Sequence, residues 1–166
     1  MNIYLTSGTY DFLKKIKDKH LKETMLLIQN NEGAILLHET EKKTLFSAPR
    51  SYEVFESQGM LEKTGFMAFH HIPVTDDDKP IIEYRFSQNS SHINSITGFT
   101  ALRCLRPKKA TTYVILTQWK SEKFYLNWEA SPAYQAFFQN IKSASAQTQM
   151  FMGSSYITKY YLPEED

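Results

Sequence analysis

A single cysteine, Cys104, stands in the 166 residues, so no disulfide can form within the chain, and a reducing, cytoplasmic setting is the simplest compartment this implies. Charge of one sign is lacking too. Lys and Arg number 19 against 18 Asp and Glu, and a net charge of +1 supplies no field to draw in nucleic acid or anionic lipid. No stretch approaches the ~18 consecutive apolar residues of a membrane span. The opening "MNIYLTSGTYDFLKKIK" alternates polar with apolar and meets charge by Asp11, unlike a signal peptide. Phosphate-binding loop, dinucleotide fingerprint, GxSxG elbow and HExxH run are all missing, as are Cys/His zinc patterns and the CxxCH attachment of haem. Kinase, dehydrogenase, hydrolase and zinc-enzyme readings therefore have no residues to rest on.

Aromatic residues are what the chain has in excess. Eleven Phe, ten Tyr and two Trp make 14% of the sequence, which suits large apolar cores or a pocket for a flat ligand. They crowd the stretch "TQWKSEKFYLNWEASPAYQAFFQN" (117–140), where Trp128 is followed ten residues later by Phe138. The length fits one ordinary domain or two small lobes sharing a core.

Periodicity predicts a strand over 2–7, a helix over 9–20 carrying Phe12, Leu13 and Ile16, and strands over 24–30 and 33–41 joined by the turn Asn30-Asn31-Glu32-Gly33. "RSYEVFESQG" (50–59) reads as a helix, because Tyr52 and Phe55 lie one turn apart and Gly59 offers a stop, which makes residues 1–60 a βαββα lobe. Residues 65–163 repeat the series as βαββαβ. Strand 65–75 leads to helix 76–90, strands 98–107 and 111–120, a helical region 121–142 restarted at Ser131-Pro132, and strand 154–163. The fold class is α+β and ferredoxin-like. "AILLHETEKKTLFSAPRSYEVF" (34–55) also overlays "VILTQWKSEKFYLNWEASPAYQAF" (114–137), with Pro49 on Pro132, Tyr52 on Tyr134 and Phe55 on Phe137. The repeat predicts a degenerate pseudo-dimer within one chain, able to exist as a monomer.

The strand "GFTALRCLRP" (98–107) and the run "YVILTQWKSEKFYLNWEASPAY" (113–134) resemble the antibiotic-biosynthesis-monooxygenase (ABM) superfamily. At whole-chain level "TSGTYDFLKKI", "LLHETEK", "SYEV" and "YLP" are similar to its two-lobed members, which include haem-degrading monooxygenases and the TRAP signal-transduction group. The resemblance implies a haem, or another flat apolar molecule, held between sheet and helices. Trp128 falls at the position that presses on the porphyrin, and His70 at the position of a distal asparagine. Phe138 falls where a histidine would ligate iron. Phenylalanine has no lone pair for a metal, so iron is left to His70 or to water, and the resemblance then implies weak iron binding and slow haem turnover. The alternative that the resemblance implies is a non-catalytic, TRAP-like signal-transduction or stress-response protein.

Strand alternation places Phe66, Ala68, His70 and Ile72 on one face and Met67, Phe69 and His71 on the other, so the paired histidines cannot share a metal. The expected site is accordingly Trp128 and His70 as catalytic residues, with Phe66 and Phe138 completing the cofactor pocket. "TDDDK" (75–79) reads as acids favoured by a helix amino end, and "LRPKKATTY" (105–113) as a solvated basic hairpin.

Overall fold

The computed structural model describes residues 1–138 and 155–163. The elements run β1 (Asn2–Gly8), α1 (Tyr10–Lys19), β2 (Thr24–Asn30), β3 (Gly33–Thr40), β4 (Arg50–Gly59), β5 (Gly65–Pro73), α2 (Lys79–Asn89), β6 (Phe99–Pro107), β7 (Thr112–Trp119), α3 (Glu122–Glu129), α4 (132–138) and β8 (Tyr156–Leu162). Short 3-10 turns at Asp76–Asp78 and Ser90–Ser95 flank α2. The last part of the helical region read to 142, and residue 154 of the last strand, lie outside the described residues.

The described strands close into a barrel in the order β1-β3-β2-β8-β5-β7-β6-β4. The run β8-β5-β7-β6 has the ferredoxin-like order, with α2, α3 and α4 packed on its outer side. The run β4-β1-β3-β2 has the same order, with α1 between β1 and β2. No second helix follows there, because residues 41–49 cross from β3 to β4 as a loop.

The helix expected over 50–59 is strand β4. Tyr52 and Val54 join the cluster inside the barrel at period two, and a bulge between Val54 and Glu56 then shifts the pairing with β6. The extra residue, Phe55, turns to the outer face, where its ring meets Tyr113 at 5.9 Å and lies under the Arg106 guanidinium at 5.7 Å. A bulged strand thus produces the i, i+3 pair that mimics a helical turn. The overlay of Tyr52 on Tyr134 and Phe55 on Phe137 fails for the same reason, since one pair sits on a strand and the other on a helix.

Because strands alternate, the barrel has two sets of buried side chains. Ile3, Leu5, Leu37, Met67, Phe69, Val114 and Leu116 point inward, and the outward set lies under the helices. Two polar residues hold the inside together. Arg103 of β6, 6% exposed, donates through Nε to Glu39 of β3 at 2.6 Å and through Nη1 to the carbonyls of Gln58, Gly59 and Leu102. Gln118 of β7, fully buried, pins the connection between β4 and β5. It accepts from the Glu62 N–H at 2.9 Å and donates to the carbonyls of Glu62 and Thr64 at 2.7 and 3.1 Å.

Arg103 and Glu39 are fixed on strands from different parts of the chain, and removing one charge strands the other in the interior. Glu39→Ala should lower the unfolding free energy by about 3 kcal/mol, measured by urea denaturation, whereas the paired change Glu39→Leu with Arg103→Met should lose less. Equal losses in the two proteins would show that the charge pair is not what is being lost.

Candidate functional site

The outward face of β5 carries Phe66, Ala68, His70 and Ile72, and α3 and α4 close over it. Gly98, at φ +83, admits α3: a Cβ there would lie 2.1 Å from the ring of Phe124. From α3 come Tyr125 and Trp128. From α4 come Tyr134 and Phe138, four residues apart and so on one face of the helix. His70, Phe66, Trp128 and Phe138 therefore do meet, all at 6% exposure or less.

They meet as packed rings. The His70 imidazole stacks on Phe138 at 4.4 Å with 24° between planes, and its Nε2 lies 3.0 Å from the Tyr134 hydroxyl. Tyr134 stands edge-on to Trp128 at 4.9 Å, Trp128 lies 6.1 Å from Phe138, and Trp119 backs Trp128 at 5.0 Å. Burial, reinforced by the Glu129 carboxylate, pushes the Tyr134 phenol up to about 12, so its hydroxyl keeps its proton as a hydrogen-bonding partner for His70.

A porphyrin does not fit this arrangement. One ring face of His70 is occupied by Phe138, its Nε2 is engaged by Tyr134, and Trp128 touches protein rings where the haem reading needs a flat ligand. The pocket expected between Trp128, His70, Phe66 and Phe138 is core in the described residues. Open space lies instead in a cleft of about 440 Å³ between the Ser90–Ser95 turn and α4, with Trp128 among its lining residues. Phe137, Ile93 and His92 line that cleft with Trp128; His70, Phe66 and Phe138 do not.

Other expected features take structural roles. Thr75 Oγ1 donates to Asp78 Oδ2 at 2.6 Å, Lys79 pairs with Asp76 at 2.8 Å, and no metal-ligating cluster occurs among the described residues. Arg106 is bound by Glu83 and Glu53, and Tyr113 donates to the same Glu83. Cys104 is fully buried, and burial pushes its thiol well above the usual range. His71 points into the barrel, away from His70. It stacks on Tyr156 at 4.3 Å, its Nε2 lies 2.9 Å from Thr158 Oγ1, and desolvation, with Arg50 adding repulsion, lowers it to about 4.

Sequence reasoning missed the Tyr134 hydroxyl and His92. Tyr134 had a signal in its four-residue spacing from Phe138, whereas His92 sits in a polar stretch with no periodicity to mark it.

The sequence pattern of the antibiotic biosynthesis monooxygenase family matches residues 66–140. Over its whole length the chain is 29% identical to the signal transduction protein TRAP of Staphylococcus epidermidis, covering 100% of this chain and 99% of that one. A heme-degrading monooxygenase of Listeria monocytogenes is 24% identical, with 98% of this chain and 95% of that protein covered. The solved structure of a major regulator of staphylococcal pathogenesis superposes with a TM-score of 0.88 at 25% identity, covering 99% of this chain and 100% of that chain. No helix among the described residues is long and apolar enough to cross a membrane.

Two measurements follow from the geometry. Tyr134→Phe should cost about 1 kcal/mol of stability in the native protein and close to nothing in a His70→Ala background, because the hydrogen bond it removes exists only with His70. Equal costs in both backgrounds would show that the hydroxyl acts elsewhere. His71 is neutral in the fold and takes up a proton near pH 6.5 when unfolded, so its contribution is complete above that pH and is lost as pH falls toward about 4. Over that window the unfolding free energy should drop on the order of 3 kcal/mol further in wild type than in His71→Gln. Parallel pH curves would contradict the burial of a neutral imidazole.

Proposed function

We propose that this chain, whose residues 66–140 match the antibiotic biosynthesis monooxygenase family, is a non-catalytic member of the TRAP signal-transduction kind, its ancestral flat-ligand site closed by its own aromatic rings. The observation that carries this is the stack of His70 on Phe138 with Tyr134 hydrogen-bonded to the same imidazole. Those groups stand at the positions the family resemblance assigns to the two sides of the iron. Neither is available: Phe138 has no donor atom, and His70 is engaged on its ring face and at Nε2.

Similarity to the heme-degrading monooxygenase of Listeria monocytogenes supports a competing reading, in which haem is bound and turned over poorly. The convergence of Trp128 and His70 in one cluster favours it, since those residues would have to act together. Against it stand the ring contacts of Tyr134 with both Trp128 and His70 among the described residues.

The closed barrel, with the same strand order in both runs, supports an internal pseudo-dimer of residues 1–60 and 65–163. In this reading each part supplies what a second subunit would otherwise bring, the chain acts as a monomer, and the buried Cys104 suits a reducing cytoplasm.

Titration with hemin should give no saturable Soret band, and no hemin should be consumed with ascorbate and oxygen, on a protein that sediments as a monomer of 19.3 kDa. A saturable Soret band that disappears in His70→Ala would overturn the non-catalytic reading in favour of haem binding. A stable dimer would overturn the internal pseudo-dimer.

A further inference from the structure

The chain has two tryptophans, and both stand in one cluster. Trp119, fully buried, lies 5.0 Å from Trp128, and Trp128, almost as buried, lies 4.9 Å from the ring of Tyr134. Indoles and phenols are the ring side chains that give up an electron most readily, and rings in contact pass one along without an intervening group. Tyr134 is where such a series reaches the surface. It is half-buried near the start of α4, with Pro132, Ala133 and Gln135 exposed around it. Its hydroxyl lies 3.0 Å from His70 Nε2. A phenol that has lost an electron becomes a strong acid, so its proton leaves as soon as a base stands within hydrogen-bond reach. With its own proton on Nδ1, the His70 imidazole is that base. Tyr125 is the competing phenol: it is fully buried, lies 6.1 Å from Trp128, and donates to Glu129. Tyr134 is the nearer of the two to Trp128 and the one open to solvent.

We propose that Trp119, Trp128 and Tyr134 form a relay that carries a one-electron oxidising equivalent out of the core, with Tyr134 as its redox-active end and His70 as the acceptor of the phenolic proton. The oxidant is a one-electron acceptor of the oxygen-radical class, such as the carbonate radical, and it takes one electron from an indole. Trp128, left as a radical cation, takes one electron from Tyr134, whose O–H bond breaks as the proton moves to His70 Nε2. The indole is restored, and the products are a neutral phenoxyl radical and an imidazolium that donates Nε2–H to the phenoxyl oxygen. A one-electron reductant from solution, a thiolate or ascorbate, then supplies an electron to Tyr134 while His70 returns the proton. The oxidant has gained one electron, the reductant has lost one, and the protein is unchanged. The inference rests on the same His70–Tyr134 bond as the non-catalytic reading and requires neither haem nor a metal.

The test is flash photolysis of the hemin-free protein. An ultraviolet flash at the red edge of the tryptophan absorption ejects an electron from an indole, and cobalt(III) hexaammine scavenges it. Since both tryptophans lie in the cluster, every radical starts there. In wild type the tryptophanyl absorption should decay as a tyrosyl absorption grows in. Freeze-trapped electron paramagnetic and nuclear double resonance should show the phenoxyl oxygen coupled to one hydrogen that exchanges in heavy water. Tyr134→Phe should lose the tyrosyl signal and lengthen the tryptophanyl lifetime about tenfold or more. His70→Phe keeps a ring against Phe138 but offers no base, and should slow the transfer about tenfold or more. Three results overturn the proposal: the same tryptophanyl decay in wild type and Tyr134→Phe, a tyrosyl signal lost in Tyr125→Phe in place of Tyr134→Phe, or a wild-type phenoxyl with no exchangeable hydrogen coupled to it. The third is read on the native protein, so it decides even where a variant does not fold. A Soret band on hemin titration would sink the non-catalytic reading and leave these measurements as they stand, so the two fail separately.

Discussion

Closing the sheet on itself is the constraint from which the rest of this molecule follows. A closed barrel leaves the central strands β5 and β7 no solvent face, because one side looks into the barrel and the other lies under helices. Every residue of β7 after Thr112 is buried. Any polar side chain in these strands must then find a partner inside the protein. Gln118 finds it in the connection between β4 and β5, His71 in Thr158, and His70 in Tyr134. The site is thus a place where closure has turned a histidine into a packing residue.

The aromatic excess has a corresponding explanation. Each ring in the cluster above β5 is large, rigid and apolar, and edge-on or tilted contacts between them add to area burial. Filling the layer between sheet and helices with such rings stabilises it strongly.

Much of the fold was legible because alternation and turn chemistry are local. The strand pair around Asn30-Asn31-Glu32-Gly33 could be read from its letters, and in the structure Asn30 Oδ1 accepts from the Glu32 N–H at 2.9 Å while Gly33 takes φ +148. Strand β4 was illegible for a physical reason. A bulge adds one residue to a period of two, and Tyr52 with Phe55 then reads as a helical turn. The meeting of His70, Trp128, Phe66 and Phe138 was legible from spacing and family resemblance together. Whether they enclose a space or fill it was not, because that depends on distances of an ångström or two set by every ring in the layer. The Tyr134 hydroxyl belongs to the same class, as a property of packing that no single residue announces.

The two seams of the barrel differ in kind. Along one, β4 and β6 match from Tyr52 against Pro107 to Gly59 against Ala101. Along the other, among the described residues, β2 and β8 share the Gln29 and Tyr161 register, helped by the Asn30 side chain reaching the Lys159 carbonyl across 129 residues of chain. Loop closure over such a separation is entropically expensive and is compensated only once both ends are in place. During synthesis on the ribosome, β1 to β7 can pair as they emerge, but the circle cannot shut until β8 has left the exit tunnel. The nascent chain therefore passes through an open, curved sheet with β2 as a bare edge, and the last strand made is the one that ends its exposure to other nascent chains.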